Sequence, residues 1–265
     1  MPTTRTSIPA ITATSKALGT ELPKAIAAAH ERLVRITAGY TTRANGQGDA
    51  LTLAVLDAID AGRDVNADPA VQRVITAQTL DSNHALSAEL DAILSEQVAE
   101  AVRLHADAVV KSWRMAFATA STDLAAAHAA LEGTSLADTD SVVRRGPAAA
   151  EAWGRATGAM ATLATIDAGW VSLCFTVTGA FPSKNFAMLR IAAVDAGQWL
   201  DLGLEGRSAD PWAALGDGLS LALPDLDAYR QTIADIGTEQ TARTERDDQV
   251  ARDRFIGRKR AATSL

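Results

Sequence analysis

The residues with the clearest capacity for chemistry lie near the end of the chain. There Arg252, Arg254, Arg258, Lys259 and Arg260 stand against one acid, Asp253, and enclose the apolar pair Phe255 and Ile256. Fixed cations at this density attract acidic surfaces, whether protein, nucleic acid or lipid headgroups. The apolar pair adds an anchor that a purely solvated tail lacks. The chemistry this segment suits is docking, on another copy of the chain or on another protein.

Catalytic patterns are poorer. His30, His84, His105 and His128 are scattered, and none forms H-E-x-x-H. His128 and Glu132 are four apart and can share a helix face, but two ligands fall short of a tetrahedral metal site. Asp138-Thr139-Asp140 and Asp225-Leu226-Asp227 open like calcium loops, yet neither has the glycine at loop position six or the closing glutamate. They read as turn and cap carboxylates. Cys174 has no His beside it in sequence to hold a thiolate, and its apolar segment reads as core. The glycine-rich phosphate loops and the G-x-S-x-G elbow are absent. No catalytic, cofactor-binding or metal-binding residue is assigned, and no cofactor is expected.

A rival reading keeps an enzyme or small-ligand site in the later part of the chain. Its polar candidates are Asp195, Asp201, Arg207, Asp210, Asp217, Asp225 and Asp227. It requires that their carboxylates converge in a pocket with perturbed acidity.

The elements that must position these residues are mostly helices. The chain is rich in Ala and carries 48% hydrophobic residues but 5% aromatics. Alanine loses little side-chain entropy in a helix and lets backbones approach. The apolar spacing predicts helices over 21–38 and 49–60. Asp68-Pro69 looks like an N-cap followed by proline at the first helical position. From there to Glu132 no Gly or Pro intervenes, and apolar residues recur at three- or four-residue steps. Unbroken, that helix would be about 95 Å long. Two places can break it, Asp81-Ser82-Asn83 and Ser121-Thr122-Asp123.

Residues 133–146 read as a loop, and Pro147 opens another helix to about Gly169. Gly154, Gly158 and Thr162, four apart, form a small-residue ridge expected to pack against the long helix as an antiparallel hairpin. Beyond it, alternation over 175–181, 200–204 and 219–223 predicts three short strands of an antiparallel sheet. Asp210-Pro211-Trp212 suits the start of a helical turn. A last helix begins near Pro224-Asp225 and runs into a charged stretch.

The expected fold is therefore mainly α: a long Ala-rich helical hairpin or bundle with a small mixed α/β head. Its parts are an N-terminal arm (1–20), a helical stalk (21–170), an aromatic-rich head (171–240) and a charged interaction segment (241–265). Before Trp113 the sole aromatic residue is Tyr40. Large rings dominate core energetics, so the earlier half is expected to lean on neighbouring helices or partner chains.

A net charge of −7 and a pI near 5.1 argue against a general nucleic-acid partner. One cysteine suits a reducing compartment. The opening segment has no acid before Glu21, and its apolar run is too broken for a signal peptide. Residues 159–181 are long enough to span a bilayer, but Asp167 and several Thr, Ser and Gly residues are costly there. A buried helix running into a strand is expected instead, with Asp167 solvated or paired. The sequence thus points to a non-enzymatic homo-oligomer of the structural, assembly or scaffold type, of which virion or phage-like components are an analogue. Its expected setting is the cytoplasm or an intracellular or virion assembly.

Overall fold

The computed structural model describes residues 4–46, 50–81 and 84–263, with side chains outside 4–6, 39–46, 80–81, 84–87 and 255–263. The protein is 77% helical, with a two-stranded antiparallel sheet. The mainly α expectation holds. The chain divides into two compact units: Met1–Pro9 with Leu22–Ala106, and Ala10–Glu21 with Asp107–Leu265.

The N-terminal arm, expected from its Thr- and Ser-rich sequence to be extended or irregular, instead carries the first helix, α1 (Thr4–Ala17). Ile8 and Ile11 are buried, as are the hydroxyl-bearing Ser7, Thr14 and Ser15. In isolation this Thr- and Ser-rich stretch is a poor helix former. Burial of its apolar face supplies what local propensity does not.

The first unit is built from α2 (Lys24–Gly46), α3 (Ala50–Asp60), α4 (Pro69–Asp81) and α5 (His84–Leu104). Helices α2 and α5 pair most extensively. Arg32 donates to Gln97 at 3.3 Å and Thr37 to Asp91 at 3.4 Å across that contact. The buried side chains here are small or aliphatic, among them Ile26, Ala58, Val71, Leu94, Val98 and Val102. Asp68 caps α4 as its Asp-Pro sequence predicts. Its carboxylate accepts the Ala70 N–H at 2.8 Å and the Val71 N–H at 3.3 Å, and it pairs with Arg63 at 2.8 Å. The Ala70 bond leads in holding this carboxyl below its ordinary range, against the opposing effect of burial.

The long helical run is broken at a place the sequence does not mark. The chain tightens at His105, whose N–H donates three residues back to Val102, and α6 (Ala106–Ala130) follows. The expected break at Ser121-Thr122-Asp123 does not occur. Thr119 and Thr122 donate to the carbonyls of Met115 and Ala118 within α6, so their hydroxyls are satisfied without leaving the helix. The other expected break, at Ser82-Asn83, lies outside the described residues.

In the second unit the expected 133–146 loop contains α7 (Thr139–Arg144), capped by Asp138. Helix α8 (Pro147–Thr178) then runs well past Gly169. Residues 175–178 are thus helical, which corrects the first predicted strand. Extending an existing helix adds a hydrogen bond per residue without a new nucleus. Gly179, at φ 73°, ends it in the left-handed conformation. By length and composition α8 also qualifies as a membrane span. Here one side of it is core: Ala152, Ala156, Leu163, Ile166, Trp170 and Leu173 are buried.

A 3-10 helix (Lys184–Arg190) leads to β1 (Ala192–Ala193), α9 (Ala196–Asp201), α10 (Pro211–Gly216), β2 (Ser220–Leu221) and α11 (Leu226–Thr263). Strand β2 falls within the predicted 219–223 run. Its partner β1 was not predicted, and residues 200–204 close α9 instead of forming a strand.

The tight approach in this unit occurs at Gly169. A Cβ there would lie 2.6–2.9 Å from the Oγ1, Cγ2 and Cβ of Thr14. Trp113 donates from its indole nitrogen to Ser15 at 2.9 Å beside it. Gly154 and Gly158, the expected packing ridge, are exposed, and a Cβ at either meets nothing within 4 Å. Two substitutions separate these positions. Gly169→Ala should lower the denaturation midpoint by an amount corresponding to about 1–3 kcal/mol, since buried, β-branched Thr14 has little room to yield. Gly158→Leu should leave that midpoint nearly unchanged. Pairing Gly169→Ala with Thr14→Ala should recover part of the loss, a coupling that a double-mutant cycle in urea measures directly.

Candidate functional site

Helix α11 places the predicted docking residues. Its first three turns pack on the head through Leu226, Tyr229 and Ile236, which are buried. Further along, Arg243 pairs with Asp201 at 2.6 Å and with Glu239 at 2.9 Å, and Arg246 joins Glu239 at 2.9 Å. From Thr244 to Arg254 every residue is exposed. Arg252 and Arg254 sit in that stretch with no ion pair among the described residues. The helical backbone continues through Phe255, Ile256, Arg258, Lys259 and Arg260, whose side chains lie outside the described residues. A helix polar on nearly every side has no apolar face to bury, so this stretch has little packing to hold it.

The small-residue ridge is not a packing seam within the chain. Gly154, Gly158 and Thr162 border an open groove of about 450 Å³, with Ala116 and Ala120 of α6 across it. Helical spacing places these residues on one face, and that face looks outward. Gly169, lying between buried Ile166 and Trp170, is the position where the small side chain is needed; sequence reasoning missed it because it stands outside the four-residue spacing.

The seven polar candidates of the rival site each have a partner of their own, in a helix cap or an ion pair. Asp195 caps α9 in a reciprocal box with Gln198, its carboxylate accepting the Gln198 N–H at 2.8 Å. Asp210 caps α10, accepting from Trp212 at 2.9 Å and Ala213 at 3.3 Å. Asp225 accepts the Ala228 N–H at 2.7 Å at the start of α11 and meets Arg114 at 3.4 Å. Asp201 pairs with Arg243, Arg207 with Asp217 at 2.8 Å, and Asp227 with Arg230 at 2.8 Å. These partners differ from residue to residue, so the carboxylates are spread over caps and ion pairs. Among the described residues no group of three or more His, Cys, Asp or Glu side chains is placed to hold a metal ion.

What the head does contain is an open cleft of about 790 Å³ at the foot of α11. Ala192, Ala193 and Val194 of the β1 segment form one wall and Ala228, Tyr229 and Thr232 of α11 another. A ligand cleft of this size is ordinary. Behind it lies a polar cluster that sequence spacing does not disclose. Arg190 donates to Asp167 through two nitrogens, at 2.7 and 3.0 Å, joining the end of the 3-10 helix to α8. Of the two settings expected for Asp167, solvated or paired, the pair is the one present, and its fork geometry fixes the orientation of both groups. Burial has the largest effect on the Tyr229 phenol, while the Arg190 guanidinium favours its ionised form and the Asp167 carboxylate opposes it. Trp170 meets the Tyr229 ring edge-on, with centroids 4.9 Å apart, and donates to the Pro224 carbonyl at 3.0 Å.

Tyr229 is 5% exposed, and its hydroxyl has no hydrogen-bond partner among the described residues. Burial pushes the phenol up to about 12. Burial likewise raises the Cys174 thiol, which is the setting of an inert core cysteine. A phenol whose folded-state pKa exceeds its unfolded value of about 10 contributes stability below that value and loses it as pH rises towards 12. Tyr229→Phe should therefore keep or raise the thermal midpoint at pH 8, because an unpaired buried hydroxyl costs about 1–3 kcal/mol. It should also flatten the fall in midpoint between pH 10 and 12. Unfolding followed by circular dichroism across that range checks both, and a clear loss at pH 8 would mean that the hydroxyl is bonded. Comparison of the chain with protein-family models, curated proteins and solved structures found no match.

Proposed function

We propose that this protein is a subunit of a homo-oligomeric assembly, acting as a structural or scaffold-type component and not as a catalyst. The observation that carries this reading is the outer face of α3. Leu53, Leu56 and Ile59 follow one another at three-residue steps, so they adjoin on one side of the helix, and they are 59%, 50% and 57% exposed. Scattered exposed leucines are normal, whereas an apolar row on one short helix marks a contact surface. Among the described residues of α3 only Ala58 is fully buried, although the helix reads ALTLAVLDAID. Covering the row would recover about 1 kcal/mol per side chain, half of full burial.

The make-up of the first unit supports the same reading. Its described core is aliphatic and small, while Trp113, Trp170 and Trp199 all serve the second unit. A helical unit with so modest a core gains most from a neighbour that adds apolar area. The head's polar candidates, occupied in caps and ion pairs, leave the catalytic alternative without a converging set of groups.

Light scattering on the purified chain tests the proposal. The wild type should scatter as a multiple of 27.7 kDa. Leu56→Glu combined with Ile59→Glu should reduce that mass without lowering helix content, since both side chains already face outward. A wild type that remains at the monomer mass throughout the micromolar range overturns the reading.

A further inference from the structure

We infer that the cleft at the foot of α11 receives the far part of α11 from a second copy of this chain, so that copies join head to tail. This rests on the self-assembly reading above and names a contact for it separate from the α3 face. The lining of the cleft includes two acidic residues, Asp195 and Asp235, and no basic one. Each carboxylate uses one oxygen within the chain: Asp195 accepts from the Gln198 N–H and Asp235 from the Gln231 amide, both at 2.8 Å. Their second oxygens have no partner among the described residues. The guanidiniums close by are already neutralised, Arg190 by Asp167 and Arg243 by Asp201 and Glu239. Between the two acids the cleft is apolar, with Leu189, Val194, Ala222 and Ala228 among its walls.

An arginine fits such a site. Its methylene stem covers apolar surface while its guanidinium reaches a carboxylate. Arg252 and Arg254 are exposed and without an ion pair among the described residues, and in sequence the basic run continues to Arg258, Lys259 and Arg260. They cannot reach the cleft of their own chain. Asp235 and Arg252 belong to one continuous helix, Leu226–Thr263, which sets them about 25 Å apart along its axis. The acidic cleft and the basic segment are thus complementary surfaces that one molecule carries but cannot bring together. Made in one direction such a contact is heterologous and propagates into a ring or a filament, whereas two copies that exchange it reciprocally close a dimer. Exposed ion pairs are weak singly and are screened by salt, so burial of the arginine stems must retain what the charges steer together.

Charge exchange tests this on the full-length chain by light scattering at low ionic strength. Arg252→Glu with Arg254→Glu, and separately Asp235→Arg, should each lower the weight-average mass by about twofold or more while keeping the wild-type thermal midpoint. An equimolar mixture of the two variants should regain the lost mass, because each then offers the surface that the other needs. If Asp235→Arg unsettles α11, Asp195→Asn, which preserves the α9 cap, replaces it and should give a smaller loss. The inference is overturned if the tail variant keeps the wild-type mass or if the mixture stays at the mass of its separate components. Repeating the set in the Leu56→Glu, Ile59→Glu chain separates the two contacts. A mass that responds to the charges but not to the α3 changes retains the head-to-tail contact and removes the α3 face from the assembly. The converse response retains the α3 face and rejects this contact.

Discussion

The second unit depends on the close approach of α1 to α8 at Gly169. Helices normally stand 8–10 Å apart because their side chains hold them there, and a glycine removes one such spacer. At Gly169 the gap is filled by Thr14, whose hydroxyl reaches the Thr165 carbonyl at 3.4 Å. The same segment of α1 brings Ser15 to the Trp113 indole, so the largest buried side chain of α6 has its polar atom satisfied. An unpaired indole N–H in that position would be costly. Three contacts of different chemistry thus converge on a few residues of a helix with little intrinsic tendency to form.

The head is organised differently, by short local devices. Its helices α9 and α10 are too short to be stable alone, and each is started by an aspartate that accepts backbone N–H groups. Asp195 and Asp210 serve α9 and α10, and Asp225 serves α11. Ion pairs then tie the pieces together, Arg190 to Asp167 on α8 and Arg243 to Asp201 at the end of α9. The acidity of the chain is concentrated here in structural use. The aspartates of 195–227 each have a cap or a guanidinium on at least one oxygen, and no two of them share a partner. Asp195 and Asp235 keep an oxygen free, and they face the same cleft.

The two units also differ in how their apolar groups are disposed. Tryptophans fill the second, whereas in the first α3 turns three large aliphatic side chains outward. The uneven distribution of aromatic residues along the sequence foreshadows this contrast, because a unit without large rings has less means of covering its own helices. Helix α11 adds a second unsatisfied feature, an exposed stretch with charges on every side and arginines that lack ion pairs among the described residues.

Much of the helical content was legible in the sequence, and the reason is that its signals are local. Asp68-Pro69 and Asp210-Pro211 start helices because an aspartate oxygen needs only the N–H groups two and three residues on. The apolar spacing of 69–132 likewise reports one helical face, and most of that run is helix. Direction is another matter. Periodicity places Gly154, Gly158 and Thr162 on one face without saying that this face looks outward, and it gives no hint that Gly169 meets Thr14, 155 positions earlier in the chain. Alternation over 175–181 reads as a strand in isolation, but α8 extends to Thr178 and takes its first four residues into helix. The pairing of Arg190 with Asp167, the burial of Tyr229 among them, and the recruitment of residues 4–17 into a helix are likewise tertiary decisions. Each depends on which surfaces meet, and an amino-acid sequence determines local hydrogen bonding far more directly than it determines which faces meet.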